Sequence, residues 1–142
     1  MPFPLRIGGF FSGIGAHVSA CDRLDSNGDK FIHVFQCEFD EKTSKAFDTI
    51  HSNHNPILNL GDICNVENIG GQLQVDILFW TPPCQDISLA GRKAGNEKGS
   101  GTRSSLAFEV PRILAATKIE ERPKYLIMEE VPTMISKKFI DN

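Results

Sequence analysis

The sharpest chemical feature of this sequence is Thr81-Pro-Pro-Cys-Gln85. Two prolines fix their own φ and restrict the residues before them, so a thiol that follows them is presented rather than buried. A cysteine held in this way suits a nucleophile whose angle of approach matters, and a helix start close by would favour its thiolate. Cys21, Cys37 and Cys64 fall on apolar faces or element ends, where a structural role accounts for them. No two of the four cysteines are closer than 16 residues, which leaves no CxxC redox pair and no paired zinc knuckle.

Phe11-Ser-Gly-Ile-Gly15 is the second feature. Its glycines let backbone approach a ligand where a side chain would collide, and N–H groups at a following helix start can meet a polar group. It is not a full GxGxxG pattern, because position 18 is Val, and the chain has no GK[ST] phosphate loop. Glu38 offers a carboxylate that can accept from both hydroxyls of a ribose. Asp62 could accept from an adenine amino group, with Ile63 against the ring. Glu129-Glu130 sets two carboxylates side by side, one of which could serve as a neutral acid beside Cys84. Each of these also has an ordinary reading. They are, in turn, a tight turn, a solvated acid opening a helix beside Asp40 and Glu41, a turn aspartate, and a charged strand end facing water. Of His17, His33, His51 and His54, the last two lie three apart near Asp48 and read as loop residues in contact with water. A metal would need a third ligand, and none is assigned.

The elements that position these residues follow from periodicity. Leu5–Phe11 reads as a strand. Ile14, Val18, Cys21 and Leu24 then recur on one helical face. Asp25–Lys30 is a turn cluster and Phe31–Cys37 a second strand. Asp40 can cap a helix whose apolar face carries Ala46, Phe47 and Ile50, broken by Asn53-His-Asn-Pro56. Ile57–Leu60 is a short strand, and Val66 and Ile69 share one helical turn. Val75–Trp80 is near-continuously apolar, as a strand covered on both faces would be. A helix from about Thr102 to Lys118 buries Leu106, Val110, Ile113, Leu114 and Thr117, with Pro111 kinking or breaking it. Tyr125–Met128 is a fifth strand. This alternation predicts an α/β fold, a parallel sheet with helices on both faces, which binds ligands beyond the carboxyl ends of its strands. Gly13, Glu38, Asp62, Cys84 and Glu129 all fall at those ends.

Composition sets the outer limits. With 142 residues, 40% apolar and 23% charged, the chain is long enough for one folded domain and too apolar for disorder. No apolar run approaches the roughly 20 residues of a membrane span, and the first residues make a poor signal peptide, so a cytoplasmic protein with reduced thiols is expected. The net charge of −3 does not mark a strongly basic phosphate binder. Charge is unevenly placed, however. Residues 1–71 hold 5 basic and 9 acidic side chains, and residues 72–142 hold 10 and 9. Arg92, Lys93, Lys98 and Arg103 stand in a Gly-rich stretch against only Asp86 and Glu97, a modest pointer to an anionic partner.

Taken in order, these motifs resemble the DNA (cytosine-5)-methyltransferases. Phe11-Ser-Gly-Ile-Gly15 is similar to the family's first cofactor motif, Glu38 to its ribose-binding acid and Asp62-Ile63 to its adenine-binding pair. Pro83-Cys84-Gln85 is similar to the catalytic motif, Thr102-Arg-Ser-Ser-Leu106 to the cofactor-side motif that follows, and Glu129-Glu130-Val131 to the Glu-Asn-Val signature. The resemblance implies a Rossmann-like, S-adenosylmethionine-dependent methyltransferase fold, mostly parallel, with strand order 3-2-1-4-5 and truncated after the fifth strand. It implies S-adenosyl-L-methionine held by Phe11, Ser12, Gly13, Ile14, Gly15, Glu38, Asp62, Ile63, Pro82 and Leu106. It further implies double-stranded DNA as partner, met by Gln85, Ser88, Arg92, Lys93, Lys98 and Arg103. A cytosine flipped out of the duplex would be attacked at C6 by Cys84, with Glu129 at N3, and methylated at C5.

Two departures qualify this. Glu130 stands where the family usually has Asn. The family's later basic motif, its target recognition domain and its late cofactor segment are not found in the 142 residues. Residues 1–142 are therefore expected to be part of a catalytic domain of the restriction-modification kind, prokaryotic or phage-encoded. A complementing C-terminal half or second subunit is expected, with weak cofactor binding and no methylation by the chain alone. The other readings are a degenerate remnant, a noncatalytic cofactor-fold or partner-binding subunit, and a fragment of an RNA cytosine C5-methyltransferase.

Overall fold

A computed structural model of the chain describes residues 4–83 and 103–130; for residues 103–105 it describes the backbone alone. Five strands, β1 (Leu5–Phe10), β2 (Phe31–Gln36), β3 (Leu58–Asn59), β4 (Ile77–Trp80) and β5 (Tyr125–Met128), form one sheet in the order β3-β2-β1-β4-β5. Every pairing is parallel. This is the sheet that the alternation predicts, in the order the resemblance implies, with β4 inside it. From β1 the chain continues to β2 on one side, while β4 pairs on the other. That makes a switch point, where a crevice opens beyond the carboxyl ends.

Three α-helices cover the two faces: α1 (Ala16–Leu24), α2 (Glu41–Ile50) and α3 (Glu109–Ala116). On one face Cys21 of α1 packs with Leu5 and Ile7. On the other, Val110 and Ile113 of α3 pack with Phe10, Phe35 and Leu78. A register shift between Ile7 and Gly8 pairs Ile7 with His33 but Gly8 with Phe35. A one-residue slip exchanges faces. It leaves His33 toward α1 while Phe35 joins Phe10 in the α3-side core, their ring centroids 5.4 Å apart.

Sequence periodicity placed several element faces wrongly. Ile14 and Leu24 are exposed, and only Val18 and Cys21 of that row are buried, because α1 begins after the glycine turn that contains Ile14. In α2, capped by Asp40 as expected through Thr43 N–H at 2.8 Å, Phe47 is buried but Ile50 is exposed. The next buried residue is His51, four residues after Phe47, its ring tilted against the Phe47 ring with centroids 4.7 Å apart. It is not a water-facing loop residue. Val66 and Ile69 share no helical turn: both are buried in the extended segment between two 3-10 turns, Ile63–Asn65 and Gly71–Leu73, and Ile69 N–H donates to Thr117 Oγ1. The helix expected over 102–118 is a 3-10 helix, Arg103–Phe108, followed by α3. Pro111 is the third residue of α3, where backbone N–H groups have no intrahelical partner, so the helix runs on unbroken to Ala116. Among the described residues no helix is long and apolar enough to cross a membrane.

Candidate active site

A cavity of about 730 Å³ opens at the carboxyl ends of β1, β2 and β3. Phe11, Glu38, Asp62, Ile63 and Leu106 of the expected cofactor residues line it, together with Cys37, Phe39, Asp40, Gly61, Cys64, Thr81 and Pro83. The walls are set by short loops whose conformations the sequence dictates. Gly13 and Gly15 take φ of 53° and 85°, the left-handed region that glycine favours. Phe11 joins them at φ 55°, which is strained for an aromatic residue. Thr81 Oγ1 donates to the Phe11 carbonyl at 2.8 Å and fixes that bend to the end of β4.

The two glycines serve different ends. A Cβ on Gly13 would meet nothing within 4 Å, so its backbone stands open. A Cβ on Gly15 would strike His51 Nε2 and lie 2.7 Å from Phe47. His51 Nε2–H donates to the Ile14 carbonyl at 3.0 Å and holds the turn from beneath. Ser12 is buried rather than facing a ligand. Its hydroxyl donates to Gly9 O at 2.9 Å and accepts from Cys37 N–H at 3.1 Å, joining the ends of β1 and β2.

Glu38 is oriented by two backbone donors. Oε2 accepts from Gly13 N–H at 3.0 Å and Oε1 from Asp40 N–H at 2.9 Å. Each oxygen keeps a further lone pair for a ligand hydroxyl. Asp62 caps the 3-10 turn Ile63–Asn65 by accepting from Cys64 N–H at 2.9 Å. Ile63 is buried in the α3-side core while lining the cavity. Pro82 is buried beside the lining residue Pro83 and does not itself line the cavity.

The described thiols are poor nucleophiles. Burial, then the Glu38 carboxylate, pushes Cys37 up to about 12, and its thiol donates to Gly61 O at 3.2 Å. Burial, then Asp22, raises Cys21 to about 11. Cys64 is exposed, against the structural role expected for it, and burial together with the neighbouring Asp62 raises its thiol. Cys84 lies outside the described residues, as do Gln85, Ser88, Arg92, Lys93 and Lys98. Arg103 opens the 3-10 helix. Glu129 is exposed directly after β5, its N–H donating to Trp80 O at 3.1 Å, so it stands at a strand end as expected. Glu130, beside it, is half-buried.

Two organisers escaped the sequence reading. Asn59 Oδ1 accepts from Glu38 N–H and Gly61 N–H, at 3.1 and 3.0 Å, while Nδ2 donates to Glu38 O and Ser44 Oγ. It ties both acid-bearing loops together. Arg112 of α3 donates to Ile63 O and Val66 O and clamps the Asp62 turn. An Asn at the end of a strand is the visible signal for the first; for the second, sequence offers none.

The model of the C-5 cytosine-specific DNA methylase family matches residues 5–141. Curated relatives include the orphan methyltransferase M.SssI of Spiroplasma monobiae. It is 45% identical over 64 residues, which are 45% of this chain and 17% of the relative. The orphan methyltransferase M.SPRI of Bacillus phage SPR is 33% identical over 132 residues, 93% of this chain and 27% of the relative. The chain spans between 17% and 30% of the length of the curated relatives it matches. Among solved structures, the Entamoeba histolytica methyltransferase EhMeth superposes with TM-score 0.68 at 21% identity, over 99% of this chain and 42% of that one. The Dnmt2 methyltransferase of S. pombe superposes with TM-score 0.63 at 15% identity, over 96% and 38%. The structural likenesses establish the fold, and the family match runs through every motif that lines the cavity: this chain belongs to the C-5 cytosine-specific DNA methylase family.

Proposed function

We propose that the cavity binds S-adenosyl-L-methionine and that the chain carries the cofactor half and the nucleophile of an enzyme methylating C5 of cytosine in double-stranded DNA. The observation that carries this reading is the convergence of Glu38, itself held by the Gly13 N–H, and Asp62 on one cavity at the switch point. The fit is chemical. Glu38 and Asp62 are acceptors pinned by backbone N–H groups, matched to donors such as ribose hydroxyls and an adenine amino group. Ile63 and Leu106 add apolar wall, and the open backbone at Gly13 admits close approach.

When bound, S-adenosylmethionine supplies an electrophilic methyl group. The chain's own residues make C5 of the base nucleophilic. Cys84, which follows the cavity-lining Pro83, adds as thiolate to C6, and Glu129 hydrogen-bonds or protonates N3. Once C5 carries the methyl group, loss of its proton expels the Cys84 thiolate and restores the ring. Gln85, Ser88, Arg92, Lys93, Lys98 and Arg103 are the residues proposed to meet the DNA.

Calorimetric titration with S-adenosylhomocysteine tests the cavity. Binding at micromolar or weaker affinity is expected, weakened about tenfold or more in Glu38→Ala, the loss of one charge-assisted contact. Unchanged affinity in that variant would overturn the ribose assignment. A duplex carrying 5-fluorocytosine, given with S-adenosylmethionine, tests Cys84, because once C5 is methylated the fluorine cannot leave as a proton does and the adduct persists. Holding a flipped base costs a few kcal/mol, which groove and phosphate contacts must offset. Trapping is therefore expected once a complementing family polypeptide is supplied, rather than from the 142 residues alone, and it vanishes in Cys84→Ser. An adduct that survives Cys84→Ser sinks the assignment.

A further inference from the structure

The end of the sheet opposite the cavity carries a second convergence of side chains, one that methyl transfer does not use. Asp22 lies in the last turn of α1, His33 in β2 and His54 in the turn after α2. Asp22 Oδ2 is 3.1 Å from His54 Nε2, and Asp22 Oδ1 is 3.9 Å from His33 Nε2. The two imidazoles meet edge to face with centroids 5.1 Å apart. One ligand atom from each of the three residues lies within 4.8 Å of the other two.

His33 is the informative member. Its side chain is 4% exposed. Nδ1 is buried with no hydrogen-bond partner. Nε2 has the Asp22 carboxylate at a distance too long for a hydrogen bond. A buried polar ring in that condition has lost its water and gained nothing in exchange.

We propose that Asp22, His33 and His54 form a binding site for a divalent transition-metal ion, zinc in the first instance, with water as the fourth ligand. The donor set selects the class. Two imidazole nitrogens and one carboxylate suit zinc and its neighbours, whereas magnesium and calcium require oxygen ligands throughout. Geometry is close to what the ion needs. Bonds of about 2.0–2.1 Å in a tetrahedron place ligand atoms about 3.4 Å apart. Asp22 Oδ2 and His54 are already inside that spacing, Asp22 Oδ1 and His33 must close by about half an ångström, and the group as a whole, within 4.8 Å, draws together by up to about 1.4 Å. A cleft of about 710 Å³, lined by these three residues with Asn27, Asn53 and Asn55, gives entry and room for the water. Asp25, also in the cleft, is occupied by the N–H groups of Asp29, Lys30 and Phe31. On binding, the His54 proton moves from Nε2 to Nδ1, so the neutral ring offers its Nε2 lone pair to the ion.

The role is structural. The ion would join α1 to the turn that begins at His51, the residue supporting the glycine turn through Ile14. It would therefore stiffen the cofactor side of the sheet without touching substrate.

The test uses the full chain, with zinc and cobalt(II) as probes. One equivalent of zinc is expected to bind in competition with a chromophoric chelator and to raise the melting temperature. Affinity falls at least tenfold in Asp22→Asn and in His54→Gln. Cobalt(II) is expected to show the visible bands of a four-coordinate ion without a thiolate charge-transfer band, which excludes the cysteines. Should either variant fail to fold, nitrogen NMR of the histidine rings in the unmutated chain decides instead. Zinc shifts Nε2 of His33 and His54 and leaves His17 and His51 in place. Zinc affinity unchanged in both folded variants, a thiolate band, or shifts confined to His17 and His51 would overturn the site.

Discussion

The two ends of the sheet are built from the same α1–β2–α2 connections, yet they present opposite chemistry. At the carboxyl ends, Glu38 and Asp62 are aimed by backbone N–H groups of Gly13, Asp40 and Cys64, leaving oxygen lone pairs toward a cavity. That arrangement attracts a ligand's hydrogen-bond donors. At the amino ends, Asp22 is faced by two imidazoles, one of them desolvated and unbonded. That arrangement attracts a cation. The difference lies in what orients the carboxylate, since the acid itself is the same. Backbone donors come from tight turns, and at the amino ends the turn after α1 gives its own to Asp25, leaving Asp22 to the imidazoles.

The largest expected effect comes from the residue that separates the two ends. Gly15 combines φ of 85° with packing against His51 and Phe47. Gly15→Ala adds left-handed strain to overpacking, about 3 kcal/mol together, or roughly 10 °C in melting temperature. Gly13→Ala has the strain alone, because its Cβ meets nothing, and is expected to cost about 1 kcal/mol while weakening cofactor binding. Thermal denaturation of both decides. Equal losses would mean that His51 moves aside freely, and the glycine turn is then not supported from beneath.

A smaller effect sharpens the carboxyl end. Asn59→Ala removes the acceptor for Glu38 N–H and Gly61 N–H and the donor to Glu38 O. These groups are exposed, so water replaces much of the loss and stability falls by about 1–2 kcal/mol. Cofactor affinity is expected to fall about tenfold, because both acid loops lose their register. A stability loss with unchanged affinity would show that backbone N–H groups alone aim Glu38.

How much of this was legible beforehand depended on the range of the interactions involved. The five strands, their parallel pairing and the positions of Glu38 and Asp62 at strand ends follow from local periodicity, while the strand order is what the family resemblance implies. The faces of α1 and α2 did not, because the apolar row beginning at Ile14 counts a residue that belongs to the glycine turn. His51 was read as a water-facing loop residue because an imidazole after a helix looks polar. Only the approach of Gly15 makes it a core residue. Pro111 reads from sequence as a kink or break because the preceding 3-10 turn and α3 form one apolar pattern, and only the geometry puts the helix start at Glu109. The Asp22–His33–His54 group joins residues from three elements, so no spacing in sequence announces it.

The last comparison is with Asp76, at the amino end of β4, which has no ligand to await. Oδ2 accepts from Arg6 N–H at 3.0 Å and Oδ1 from Lys124 Nζ at 2.8 Å, joining the starts of β1, β4 and β5. The Arg6 backbone N–H, followed by Lys124, holds this carboxyl below the usual range. A carboxyl whose folded pKa is depressed contributes stability above its unfolded value, near ~3.9, and loses that contribution as pH falls through the folded value. Asp76→Asn is therefore expected to lower the melting temperature by about 3 °C at pH 7, corresponding to about 1 kcal/mol for a partly exposed charged hydrogen bond. The gap between variant and parent narrows on acidification below about pH 4 and closes once Asp76 is protonated in both states. Cofactor affinity stays unchanged, because the residue lies at the far end of the sheet from the cavity. A gap that persists undiminished in acid would show that shape and packing at Asp76, rather than its charge, join the three strands.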